Sequence, residues 1–263
     1  MVLPDHLSHY AGHGHVAPIK AWLNEGGDVN ERDRNQNTML IICTGTPYTR
    51  GTASQIELAR LLIERGADAN ICASEDPPAL GLSPLHYACD QLVDHSADMV
   101  ALLLKAKANV HCRAQPGPDD SHPADTPLGM TLLGFPSEGS AEERFTAIPR
   151  IVTMLLRAGA SIDAVSDERT AEMELQAAEA ANPALRNSDA FVQVKALING
   201  VRAAGSWKAF CRQDHKKILR LRSLITRGRA REGLAAPPAI KFILRRADNG
   251  VLWNILSFWR ATE

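Results

Sequence analysis

The stretch LSPLHYACDQLVDHSADMVALLLKAKANVH, Leu82 to His111, decides the fold, because it reads as one complete helix–turn–helix unit. Ser83 offers an N-cap hydroxyl, and Pro84 follows at the first helical position, where a missing N–H leaves no bond unmade. Leu85, Ala88 and Cys89 then share one face of a short helix. Small Ala and Cys side chains let a second helix approach closely, and Met99, Val100, Leu103 and Leu104 recur on that second helix at helical spacing. The spacing predicts two helices packed back to back.

Working outward, the end of the second helix recurs. IKAWLNEGGDVN (Ile19–Asn30), LARLLIERGADAN (Leu58–Asn70), VALLLKAKANVH (Val100–His111) and VTMLLRAGASID (Val152–Asp163) align without gaps around a shared terminal pattern. A glycine stands where a helix needs a left-handed C-terminal residue, as Gly26, Gly66 and Gly159, with Lys107 replacing it in the third copy. These four positions are 40, 41 and 52 residues apart. Before Gly26, LSHYAGHGHVAPIKAWLNEG from Leu7 lacks the Ser/Thr-Pro-Leu start and reads as an N-terminal cap. A degenerate fifth unit opens at Thr170 and closes on VQVKALINGVRAAG from Val192.

The pattern S-P-L-H-x-A-C followed by V-A-L-L-L-K-A-x-A-N-V resembles the ankyrin repeat, whose hallmark is T-P-L-H-x-A-A and then V-x-L-L-L-x-x-G-A-D-V-N. The family period is about 33 residues, so each unit here is lengthened. The extra residues fall at Pro47–Ser54 and Ser74–Gly81, then at Arg113–Asp125 and Phe135–Pro149. Loops of this length cost little entropy to close and are uncommon unless functional or disordered. The resemblance implies an all-α ankyrin-repeat solenoid with long inserted loops. The array is expected over 1–204, with units near 7–32, 33–72, 82–113 and 125–164 and a degenerate copy at 168–204. A helical C-terminal cap or docking segment is expected over 205–263.

Composition agrees with a folded soluble chain. Hydrophobic residues make up 45%, mean hydropathy is -0.17, and no run of about 18 apolar residues appears that could cross a membrane. The start MVLPDHLSHYAGHGH lacks a basic-then-apolar leader pattern, so the expected location is intracellular, cytoplasmic or nuclear. Five scattered cysteines are odd in number and make no disulfide framework. Net charge is -1, yet Lys195–Arg231 holds eleven basic residues against the single acid Asp214. That asymmetry bears on partners rather than on fold.

Beyond Gly205 the repeat pattern stops. Ile218, Leu219, Leu221, Leu224 and Ile225 form an apolar stripe, with Lys208, Arg212, Lys216, Lys217, Arg220, Arg222, Arg227 and Arg229 on the rest of a basic amphipathic helix. Pro237-Pro238 breaks it, Ile240–Leu244 forms a short element, and VLWNILSFWRATE closes the chain. Trp207, Trp253 and Trp259 are expected in the cap. The order of a leucine-bearing basic helix, a proline element and a closing apolar helix is similar to the SOCS box of ubiquitin-ligase adaptors. The small-residue/Leu-x-x-x-Cys core and the Leu-Pro-x-Pro element of that box are absent.

For function, the ankyrin resemblance implies binding of a protein partner through finger loops and a concave helix face, as a scaffold or adaptor. The residues it points to are Arg32, Arg34, Asn35 and Gln36 in one finger, Glu75 and Asp76 in the next, Asp90 and Gln91 on a helix, and Arg113, Gln115, Asp119 and Asp120 in the longest finger. Two alternatives are a substrate-recognition adaptor of a ubiquitin ligase and a nucleic-acid-associated regulator using the basic helix over 208–231, each neutralised phosphate adding a salt-dependent contribution. Outside a complex the chain is expected to be a monomer.

No catalytic signature such as G-x-S-x-G or a glycine-rich phosphate loop is present, so no enzyme and no cofactor are expected. His6, His9 and His13 have helical spacing, but His13 and His15 fall at the turn after that helix, and no metal site is assigned. His86 matches the repeat's structural histidine, which bridges neighbouring turns by hydrogen bonds. Cys89 stands in for a small core alanine.

Overall fold

Ser or Thr opens the first helix of four successive units, and each hydroxyl accepts a hydrogen bond from a backbone amide three residues on. Thr38 Oγ1 accepts from Ile41 N (3.3 Å), Ser83 Oγ from His86 N (3.4 Å), Thr126 Oγ1 from Gly129 N (3.3 Å) and Thr170 Oγ1 from Met173 N (3.4 Å). Such caps satisfy amides that have no partner inside the helix. The computed structural model describes residues 2–45, 53–74, 81–90, 95–114, 125–135, 146–163, 165–166 and 169–227, with backbone alone at 214–219, 221 and 225–226.

The helices are α1 (Asp5–Gly12), α2 (Val16–Asn24), α3 (Met39–Gly45), α4 (Ala53–Glu64), α5 (Pro84–Asp90), α6 (Ser96–Lys105), α7 (Pro127–Leu133), α8 (Ile148–Arg157), α9 (Ala171–Ala181), α10 (Asp189–Ala204) and α11 (Trp207–Thr226), with a 3₁₀ turn at Pro183–Asn187 before α10. The chain divides into two compact units, Met1–Asn199 and Gly200–Glu263. In the first, α1, α3, α5, α7 and α9 stack in sequence order as one row, and α2, α4, α6 and α8 stack as a second row behind it. Consecutive helices α1/α2, α3/α4, α5/α6 and α7/α8 pair across the rows. Among the described residues the only β pairing is two isolated bridges, Arg32 with Thr38 and Ser166 with Arg169. The fold is therefore an all-α solenoid of ankyrin type.

The apolar stripes read from the sequence lie between the rows. Leu85, Cys89, Val100 and Leu103 are fully buried, as are Ile148, Ile151, Val152 and Leu155 of the fourth unit, each side chain stabilising the fold by about 1.5–3 kcal/mol. Leu104 is only half-buried, so the packed face of α6 is carried by Met99, Val100 and Leu103. Phe135 and Phe191, both buried, meet edge to face with centroids 5.1 Å apart and join the fourth unit to the start of α10. Two buried polar groups of the second repeat cross-link its helices. Cys43 Sγ donates to the Gln55 carbonyl (3.0 Å) and Gln55 Nε2 donates to the Gly12 carbonyl (3.1 Å), tying α4 to both α3 and α1.

Each second helix ends in a five-residue turn, Gly26–Asn30, Gly66–Asn70, Lys107–His111 and Gly159–Asp163. The first residue is left-handed in all four, with φ of 96°, 92°, 64° and 103°. Within the turn Asp28, Asp68 and Asn109 accept through their side chains from the amide two residues on, at 2.8–2.9 Å. The asparagine at the end then reaches the following turn. Asn30 Oδ1 accepts from Asp68 N (2.9 Å) while its Nδ2 donates to the Gly66 carbonyl (3.4 Å). Asn70 repeats both bonds on Asn109 N (2.8 Å) and the Lys107 carbonyl (3.4 Å).

In the second unit, Gly205 (φ 78°) ends α10 and Ser206 Oγ caps α11 by accepting from Ala209 N (3.1 Å). Phe210 of α11 lies so close to Gly200 of α10 that a Cβ there would fall 2.4 Å from its ring. Trp253, Trp259 and the elements at 236–244 lie outside the described residues.

Candidate interaction surface

The fingers are built on the short stretches that leave each turn and return to the next capping hydroxyl. In the first, buried Asp33 organises everything around it: its Oδ1 accepts from Asn35 N (2.9 Å) and Asn37 N (2.8 Å), and its backbone amide donates to the Asn37 carbonyl (2.8 Å). This is an Asx turn closed by a left-handed Gln36 (φ 62°). Its consequence is that Arg34, Asn35 and Gln36 stand exposed at the tip on a backbone whose bonds are already made. Arg34 also makes an exposed ion pair with Asp5 (3.4 Å), worth little at such exposure.

Arg32 behaves differently from its neighbours. Half-buried, it donates through Nη1 to the Gln36 carbonyl (2.6 Å) and to the Cys72 carbonyl (3.0 Å), so it braces the first finger against the second. Asp90, at the end of α5, is exposed, and so is Arg113, at the root of the third finger. The second finger is closed at its base by Ala73 N to the Leu82 carbonyl (2.9 Å), and the third by Ala114 N to the Asp125 carbonyl (3.0 Å). Glu75, Asp76, Gln91, Gln115, Asp119 and Asp120 lie outside the described residues. The described finger residues are thus spread along successive fingers. A cleft of about 710 Å³ does exist between α4 and α6, lined by Arg60, Glu64, Asp98, Leu102 and Lys105 among others, and it contains none of them.

His86 occupies the junction between the third and fourth units. Its ring is buried; Nε2 donates to the Asp125 carbonyl (3.0 Å), which leaves Nδ1 to accept from Ser83 N (3.1 Å) and to meet Ser83 Oγ (2.8 Å). Burial holds the imidazole neutral, lowering its pKa from 6.5 to about 4 against two backbone bonds that act the other way. The fourth unit has Gly129 at the corresponding place. There the Val165 carbonyl itself moves in, accepting from Thr126 N (2.8 Å) and Thr126 Oγ1 (3.0 Å), and a Cβ on Gly129 would fall 2.3 Å from it. In the fifth unit, buried Glu174 takes the organising role, accepting from Ser166 Oγ (2.9 Å) and facing Arg169 (3.5 Å).

The N-terminal histidines form ring contacts rather than a ligand set: His9 and His13 have centroids 4.3 Å apart, and His13 Nδ1 meets the His9 carbonyl (2.9 Å). Among the described residues no group of three or more His, Cys, Asp or Glu is placed to hold a metal ion. No described helix is long and apolar enough to cross a membrane.

On α11, Lys208, Arg212, Arg220 and Arg227 are exposed and Arg222 is half-buried. The side chains of Lys216 and Lys217, and all of Arg229, lie outside the described residues. At 100° per residue the four exposed cations fall within about 120° of the helix circumference. They make one basic side.

The asparagine stitches, the Asp33 turn and Gly129 were not singled out from sequence. The first carried a signal, since Asp-x-Asn recurs at Asp28–Asn30 and Asp68–Asn70, two residues after the capping Gly26 and Gly66. Comparison with known proteins agrees with this architecture. The family model for ankyrin repeats matches residues 7–114 in three copies. No curated protein matches the chain. Repeats of this family are in general protein–protein interaction modules and typically not enzymes. The matched residues span α1 to α6 and the two asparagine stitches, and over that stretch the chain carries ankyrin repeats.

Proposed function

We propose that the array is a non-enzymatic scaffold or adaptor that binds a protein partner through its finger residues and the exposed face of its first-row helices. The observation that carries this reading is the first finger. Asp33, Gln36 and Arg32 saturate its backbone from below, so Arg34, Asn35 and Gln36 are presented on a turn that pays little ordering entropy on binding. Asp90 and Arg113 extend the exposed polar surface to the third unit. The test is capture of partners by the full chain beside the double variant R34E/N35A, with crosslinks on each captured protein mapped. Crosslinks at the fingers and a binding loss of about tenfold or more support the reading. Unchanged binding of every partner, with crosslinks elsewhere, rejects it.

A second reading rests on the basic side of α11, which fits an anionic surface such as nucleic acid. Binding of the full chain to generic RNA and DNA at two salt concentrations tests it: a steep loss between about 50 and 200 mM salt, weakened by R212E/R220E, is the expected result. No binding at the lower salt removes this reading.

A further inference from the structure

Cys72 and Cys112 lie 40 residues apart in the chain, yet their sulfurs are 3.7 Å apart. Each is half-buried, at the root of the second and third fingers respectively. Their backbones are held on both sides. The Cys72 carbonyl accepts from Arg32 Nη1 (3.0 Å), and the stitch from Asn70 Oδ1 to Asn109 N (2.8 Å) fixes the two turns a few residues before each cysteine. Beyond them, Ala73 N and Ala114 N are each tied into a finger base. The sulfurs need to close by about 1.7 Å to reach disulfide length, a distance that small side-chain rotations can supply.

We propose that Cys72 and Cys112 are a modification site: a dithiol that a hydroperoxide-class oxidant converts to an intramolecular disulfide linking consecutive fingers, and that a thiol reductant restores. The Cys112 thiolate sulfur attacks one peroxide oxygen, the O–O bond breaks, and the departing oxygen leaves as hydroxide and becomes water. Cys112 is then a sulfenic acid. The Cys72 sulfur attacks the Cys112 sulfur, the S–S bond forms, the S–O bond breaks, and the Cys72 proton leaves with the hydroxyl as a second water. Two thiols are oxidised by two electrons in all, and one hydroperoxide is reduced.

The remaining chemistry of the chain favours this pair. Cys112 receives hydrogen bonds from Cys72 and Ser83, which bring its thiol down from 9.0 to about 7 against partial burial. Cys43 and Cys89 are fully buried, and burial pushes both thiols up to about 12, which leaves them inert near neutral pH. Reactivity and proximity therefore coincide at one place.

The test uses the full chain with hydrogen peroxide, followed by thiol counting, intact mass and peptide mapping without reduction. The expected result is loss of two of the five thiols, a mass lower by about 2 Da, a Cys72–Cys112 linked peptide from monomeric protein, and full reversal by dithiothreitol. Tm should rise by roughly 5–10 °C in the oxidised form. In C72S the linked peptide and the Tm rise should vanish while Cys112 proceeds to sulfinic acid. The proposal is overturned if the wild-type chain keeps both thiols, forms only chain-to-chain disulfides, or pairs Cys112 with another cysteine.

Discussion

His86 binds through both ring nitrogens, Nδ1 accepting from Ser83 N on its own cap and Nε2 donating to the Asp125 carbonyl of the next unit, and can do so only as the neutral imidazole. Its pKa is lowered from 6.5 to about 4, so the unfolded chain takes up a proton at a pH where the folded chain does not. Stability is therefore full above pH 6.5, declines as pH falls toward 4, and flattens below, the total loss being about 3 kcal/mol. Urea unfolding at pH 7.5, 6 and 5 checks this. H86Q should lower stability at pH 7.5 by about 2 kcal/mol and remove most of that pH dependence. Lys107 is a second residue under constraint: it holds φ 64° where the other three turns use glycine. K107G should stabilise the chain by about 1 kcal/mol, and G66A, whose Cβ would meet nothing within 4 Å, should cost about the same through backbone strain alone.

At the level of elements, the joins between units use three different devices. Asparagine stitches join the first three turns, His86 joins the third unit to the fourth, and direct approach of the Val165 backbone joins the fourth to the fifth. N30A and N70A should each cost about 1 kcal/mol in urea unfolding, and because the two stitches sit at different joins their effects should add. G129A, although it raises helix propensity, should destabilise by about 2 kcal/mol or more, since its Cβ would fall 2.3 Å from the Val165 carbonyl. Much of this was legible in the sequence: hydrophobic spacing and the Ser/Thr caps locate α3, α5, α7 and α9, and the terminal glycines locate three of the four turns, the aligned Lys107 the other. Gly129 was not legible as a join, because its role is set by a carbonyl 36 residues later that no local pattern marks. The same holds for Cys72 and Cys112. Their spacing looked scattered because one repeat length separates them along the chain while the stacked turns bring them side by side. The finger residues were legible as exposed positions for Arg34, Asn35 and Gln36, whereas the inward turn of Arg32 depends on the Cys72 carbonyl of the next finger.

For the first compact unit as a whole, stacking in rows means that each helix pair is held mainly by its neighbours. Hydrogen exchange should accordingly be slowest in α3, α5 and α7, which have a stacked helix on both sides, and faster in α1 and α9, which end the first row. Mass-spectrometric exchange on the full chain reads this directly, and uniform protection across the row would contradict it. Length variation follows a related rule. Relative to a period of about 33 residues, extra sequence has entered at several places, but the turn that begins at Gly26, Gly66, Lys107 or Gly159 is five residues long every time. That turn works like the pitch of a screw thread: it sets the advance from one unit to the next, and every unit must share it. An engineer grafting a foreign peptide into this chain must therefore leave these four turns at their length. A single residue added between Gly66 and Asn70 would strip the thread.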